Sequence, residues 1–130
     1  MKPTFFDGDE LQVDLAARTP DREAIIVFHP PPLQGGDRKD FLKRVLGKPG
    51  DTVDVRDNQL FVNGKEVAEP FISTRTDCLG QYCHIELGSD QYYVLGDNRT
   101  NSSDSRIWGP VRAEDVLGTV RTLSRPLSRH

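Results

Sequence analysis

The sequence predicts a mostly β domain built from antiparallel sheets, and three observations carry that prediction. Nine prolines and eleven glycines interrupt the 130 residues at short intervals, too often for long helices. Between these breaks lie short runs rich in Val, Ile, Phe and Tyr, the side chains that suit a pleated surface. Turn chemistry joins them: Asp57-Asn58 and Asn63-Gly64 tolerate the positive φ of tight hairpin turns.

In chain order, strands are expected at Leu11–Leu15, Ala24–Phe28, Phe41–Leu46, Thr52–Arg56, Gln59–Val62, His84–Leu87, Gln91–Val94 and Leu117–Leu123. "HPPPLQGGDRKD" (29–40) holds three prolines and two glycines and reads as a loop. "EPFISTRTDCLGQYC" (69–83) is the other irregular stretch. "VRAEDVLG" (111–118) begins like a helical turn that Gly118 stops. The length suits a single domain, 1–130, with one core of its own.

Charged residues make up 28% and hydrophobic ones 35%, a globular balance and not that of a disordered chain. Seventeen Lys and Arg against twenty Asp and Glu give a net charge of −3, so no basic surplus draws in nucleic acid, and no nucleic-acid partner is expected. No apolar run approaches the ~20 residues that span a bilayer, and "MKPTFFDGDE" lacks the apolar core of a secretory signal.

Two cysteines, Cys78 and Cys83, flank a glycine-containing turn. The spacing is not that of a redox Cys-x-x-C motif, and a zinc site wants more ligands than the nearby His84. Either a short disulfide or two free thiols fits. No metal and no cofactor is expected.

In "DFLKRVLGKPGD" (40–51), alternation puts Phe41, Lys43 and Val45 on one strand face and Leu42, Arg44 and Leu46 on the other. A lysine between Phe and Val is either partly buried, which lowers its pKa and makes it a base, or snorkels to solvent from a sheet edge. The segment alone favours the snorkelling lysine. "GDNRTNSSDSRIWG" (96–109) is a dense polar stretch ending on an apolar pair, the composition of a loop built to hold a network.

Three segments, taken in order, resemble the type I signal peptidases, membrane-anchored Ser/Lys proteases that remove signal peptides from exported proteins. They are "PTFFDGD" (3–9), "FLKRVLGKPGD" (41–51) and "GDNRTNSSDSRIWGPV" (96–111). "DREAIIVFHPP" (21–31) resembles a fourth family segment, with Asp-Arg-Glu where the family has an Arg-Gly-Asp-like turn. The resemblance implies a partly open barrel of the signal peptidase type, formed by antiparallel sheets. It also implies a small accessory hairpin between the lysine and Asp-rich segments, roughly 52–95, and a small variable insertion around 68–89.

By the same resemblance, Lys43 matches the general base and Ser102 the serine that orients it. Asp104 and Arg106 match a structural ion pair beneath the site. Asp97 and Arg99 match supporting charged positions. Asp40 and Leu42 match strand residues lining the groove for the substrate's small side chains. A Ser/Lys dyad needs its lysine kept neutral by desolvation, and an Asp/Arg pair behind it steadies the loop without charging the lysine. None of His29, His84 and His130 falls in a matched segment, so a Ser-His-Asp triad has no support. The expected location is the extracytoplasmic side of a membrane, where cysteines oxidise; this favours the Cys78–Cys83 disulfide.

The family's nucleophile is the serine directly before the motif methionine, a position that falls one place before Met1. The chain is therefore expected to be an inactive form without that serine or the membrane anchor, taken from an active parent. The alternative is a natural non-catalytic relative that binds signal-peptide segments. Expected partners are signal peptides of exported preproteins and the membrane surface. Phe5 and Phe6 would meet lipid or fill the core, Ile107 and Trp108 would tuck the polar loop into the core, and Arg121, Arg125 and Arg129 would fray into solvent or meet headgroups. Self-cleaving repressors share this β architecture and chemistry, but the chain shows neither their cleavage site nor a DNA-binding domain.

Overall fold

The computed structural model describes residues 10–16, 19–29, 40–69, 72, 75–99 and 103–124. The expected motif at 3–9, Phe5 and Phe6, most of the 29–40 loop, Ser102, Arg125 and Arg129 lie outside these residues.

The described chain forms β1 (Glu10–Asp14), β2 (Ile25–Phe28), β3 (Phe41–Gly47), β4 (Thr52–Arg56), β5 (Gln59–Val62), β6 (Lys65–Glu66), β7 (His84–Glu86), β8 (Gln91–Leu95), a single helical turn α1 (Ser105–Trp108), β9 (Val111–Arg112), a 3-10 turn (Ala113–Asp115) and β10 (Val116–Ser124). The strands build two open sheets. One has six strands in the order β1-β10-β2-β3-β8-β9, the other four in the order β6-β5-β4-β7. Every pairing is antiparallel.

Turn chemistry accounts for the smaller sheet. Asp57 (φ 53) and Asn58 (φ 61) close the β4–β5 hairpin, and Asn63 (φ 53) with Gly64 (φ 82) turns the chain into β6. β4 and β5 form an antiparallel hairpin within the 52–95 segment. The 68–89 stretch contributes β7, which pairs with β4, and the cysteine-bearing loop.

Two apolar clusters share β3 and β8. Tyr92 and Val94 point into one with Ile26, Phe28, Val45, Trp108, Val111 and Val116. Tyr93 and Leu95 point into the other with Leu46, Val53, Val55, Leu60, Val62 and Leu87. β8 is therefore buried on both faces and reads as a continuous apolar run without alternation. β4 has one buried face, and Val53 and Val55 alternate with the half-buried Thr52 and Asp54.

Four expectations need correction. Leu15 is 63% exposed and sits in the turn beyond β1. The helical turn at 113–115 ends at Val116, two residues before Gly118, and Gly118 is inside β10. A Cβ on Gly118 would lie 2.7 Å from the Asp14 carbonyl oxygen, so a missing side chain there admits the neighbouring strand and does not stop a helix. Ile107 is 41% exposed; only Trp108, at 5%, enters the core. Arg121 lies in β10, and its Nη2 meets Asp14 Oδ2 at 2.9 Å.

Candidate active site

Strand β3 carries Lys43 on the face that ends in Val45, at the edge of the first cluster. Its partner across β2 is Ile26, which has no exposed surface. Nζ lies 5.8 Å from the centre of the Phe41 ring. Burial is the main influence on the ammonium and pushes its pKa below the ordinary lysine value. Asp104 and Asp97 raise it and Arg106 lowers it, and their sum does not undo the desolvation. Of the two possibilities left by the sequence, the partly buried lysine is the one the fold adopts.

The charged side chains described in the polar loop after β8 are buried. Asp97, Arg99, Asp104, Ser105 and Arg106 are at most 1% exposed. Each charge has partners, as interior charges must. Asp104 takes Arg106 Nε at 2.9 Å on Oδ1 and Nη2 at 2.8 Å on Oδ2. The same carboxylate caps α1 by accepting from the Arg106 N–H, and it accepts from the Gly96 N–H at 3.2 Å. Ser105 Oγ accepts from the Val94 N–H at 2.9 Å, tying the turn to β8. Trp108 donates its indole N–H to Ser103 Oγ at 3.0 Å.

Asp97 and Arg99 do not pair with each other. Asp97 accepts a two-pronged contact from Arg44, at 2.9 and 2.8 Å. Arg44 sits beside Lys43 on the opposite face of β3, so Asp97 fixes the start of the loop to the lysine strand. Arg44 also donates to the Glu23 carbonyl at 2.9 Å. Glu23 has φ 72, a conformation glycine takes freely, at the turn where the resembling family has its Arg-Gly-Asp-like sequence. Arg99 has its Nη2 2.5 Å from Glu69 Oε2 and donates from Nη1 to Thr76 Oγ1 at 2.8 Å.

Arg44, Glu69 and Thr76 are supports that sequence reading missed. Arg44 left one signal, a charge facing away from Lys43 in a strand with apolar neighbours. Glu69 and Thr76 left none, because their partner lies more than twenty residues away. Asp40 directly precedes β3, and Leu42 lies in it on the face away from Lys43. Asp40 is exposed and accepts from His29 Nδ1 at 2.8 Å, while Leu42 is half-buried opposite Val27. Cys78 and Cys83 form a disulfide. Among the described residues no cluster of three or more His, Cys, Asp or Glu side chains could hold a metal, and no helix is long and apolar enough to cross a membrane.

The class of protein this defines is an open antiparallel fold with a partly buried lysine on a central strand and a buried, ion-paired loop after β8, an arrangement in which perturbed titratable groups mark a candidate functional site. The family model for signal peptidase, peptidase S26, matches residues 1–124, and the chain belongs to that family. It is 37% identical over 135 residues to signal peptidase I V of Bacillus subtilis, covering 92% of this chain and 77% of that protein. It is 38% identical over 134 residues to a probable signal peptidase I-2 of Synechocystis, covering 99% of this chain and 61% of that one. In structure it resembles a signal peptidase I from Enterococcus faecalis, with TM-score 0.65 and 29% identity, over 81% of this chain and 99% of that one. The family is one of serine endopeptidases of protein secretion, and its substrate class is signal-peptide-bearing proteins.

Proposed function

We propose that these residues form the base-bearing part of a signal peptidase I that cleaves signal peptides from exported preproteins at the outer face of a membrane. The observation that carries this reading is the partial burial of Lys43 between Phe41 and the fully buried Ile26, which pushes its amine below the ordinary lysine value.

In this reading neutral Lys43 Nζ takes the proton of a serine hydroxyl as its oxygen attacks the scissile carbonyl. The resulting ammonium returns the proton to the departing amine. A water then enters along the same path, deprotonated by Lys43, and releases the acyl group from serine. Ser102 supplies the hydroxyl that orients Nζ. Asp40 and Leu42 form part of the groove wall, and a membrane anchor belongs to the whole protein.

The test compares two chains on a signal-peptide substrate: the 130 residues alone, and the same residues behind an extension whose last residue is serine. Turnover is expected only from the extended chain, rising with pH as Lys43 loses its proton, and lost in Lys43→Ala. Turnover by the 130 residues alone that survives Lys43→Ala contradicts the dyad. Binding without turnover by the extended chain marks a signal-peptide-binding protein instead.

A further inference from the structure

Arg99 and Arg106 have no exposed surface, and each divides its contacts between the polar loop and a distant stretch of chain. Arg99 donates from Nε to the Gly96 carbonyl at 2.7 Å within its own loop, while Thr76 and Glu69 meet its other nitrogens from outside. Arg106 holds Asp104 and donates from Nη2 to the Arg99 carbonyl at 2.9 Å, but its Nη1 donates to the Asp77 carbonyl at 3.1 Å. In return the Tyr82 N–H donates to the Arg106 carbonyl at 3.3 Å. The buried Tyr93 hydroxyl donates to the Tyr82 carbonyl at 2.7 Å. Gly80 presses so close to α1 that a Cβ there would lie 2.6 Å from the Arg106 carbonyl oxygen.

The stretch making these contacts, Thr76 to Cys83, contains neither helix nor strand. Few backbone bonds locate it: the Thr76 N–H to the Asn58 carbonyl at 3.1 Å, and the Val55 N–H to the Cys83 carbonyl at 2.6 Å, are at its ends. Between them, the bond joining Cys78 to Cys83 closes a ring around Gly80 and Tyr82, the two residues seated on α1. Cys78 is exposed and Cys83 half-buried, so the bond is within reach of a thiol.

We propose that Glu69 and Thr76–Cys83 form a positioning clamp on the 96–109 loop, pinned by the Cys78–Cys83 disulfide, so that reducing this bond loosens the loop behind Lys43. A dithiol attacks one sulfur, its second thiol displaces the mixed disulfide, and two cysteine thiols and a cyclic disulfide result. The released ring no longer holds the Asp77 carbonyl and the Tyr82 N–H against Arg106. A buried guanidinium short of acceptors is strongly disfavoured, so the loop opens toward water. The consequence for catalysis rests on the role proposed for Lys43; the clamp itself does not.

Amide hydrogen exchange tests it on the chain in three forms: oxidised, reduced with dithiothreitol, and Cys78→Ser/Cys83→Ser. Local opening should speed exchange of the Gly96, Arg106, Trp108 and Gly109 amides by about tenfold or more in the second and third forms, leaving the β4–β5 amides other than Val55, which bonds Cys83, within about twofold. Oxidised Glu69→Gln should speed the same loop amides. Equal loop exchange in oxidised and reduced chains overturns the clamp. So does β4–β5 exchange that accelerates as much as the loop, since the effect is then global, and so does an unchanged loop in Glu69→Gln. Turnover by the serine-extended chain is a separate readout and should fall on reduction. If that chain is inactive in both redox states the proposed function fails, and exchange still decides the clamp.

Discussion

The four-stranded sheet and the 96–109 loop both pack against β8, and they are held there by opposite physics. The sheet contributes Val53, Val55, Leu60, Val62 and Leu87 to an apolar cluster and keeps its ionic contacts, such as His84 with Asp54 and Arg56 with Asp57, at the surface. The loop buries Asp97, Arg99, Asp104 and Arg106 and leaves the aliphatic Ile107 outside. Apolar burial stabilises without regard to direction. Buried ion pairs repay little of their desolvation but fix geometry, because each charge has few acceptable partners. The sheet is therefore built for stability and the loop for placement, and β3, the strand that carries Lys43, touches both.

Charge removal in the loop should have the largest effect. Asp104→Asn leaves the Arg106 guanidinium buried without its counter-charge and should cost about 3–5 kcal/mol in urea unfolding. Replacing both partners with apolar residues should recover much of that loss; if the double variant is no better than the single, the buried pair is not the cause. Next comes the sheet's apolar cluster. Leu60 is 1% exposed, and Leu60→Ala should cost about 2–4 kcal/mol in urea unfolding through lost burial and a cavity.

A smaller effect belongs to Asp51, which joins the β3–β4 turn to Arg22 and Asn63. Burial pushes its carboxyl up, but the Arg22 hydrogen bond, the Lys48 N–H and the Asn63 amide outweigh it and hold the pKa below the usual carboxylate value. A depressed pKa stabilises the fold above the unfolded value of about 3.9 and ceases to do so as pH falls through the folded value. Arg22 is half exposed, so Asp51→Asn should cost only about 1 kcal/mol at pH 7, and less in acid. A cost that does not shrink as pH falls through this range contradicts the pairing.

The smallest effect is expected at His84. Its hydrogen bond to Asp54, with that carboxylate's charge, raises its pKa. The stabilisation is complete below the unfolded value and disappears as pH rises through the folded one. An NMR titration should return His84 toward the ordinary histidine value in Asp54→Asn, with hardly any change in unfolding midpoint.

The same contrast explains what the sequence revealed. The β4–β5 hairpin was legible because Val53 and Val55 alternate and Asp57-Asn58 supplies the turn. β6 and β9 were not, since two-residue strands carry no period, and both residues of β6 are exposed. α1 is a single turn started by Asp104, too short for a helical repeat. Within the site, Lys43, Asp104 and Arg106 stood in long recognisable segments. Glu69 did not, because a buried pair between residues 69 and 99 depends on how the chain folds back and leaves no local pattern.

Titrating Lys43 in the isolated chain, by NMR of its side-chain amine, most directly tests whether burial prepares it as a base. The amine should titrate below the ordinary lysine value of about 10.4, and the charged form should burden the fold, so Lys43→Met should raise the unfolding midpoint at pH 7. A Lys43 amine titrating at or above the ordinary value would contradict the desolvated base.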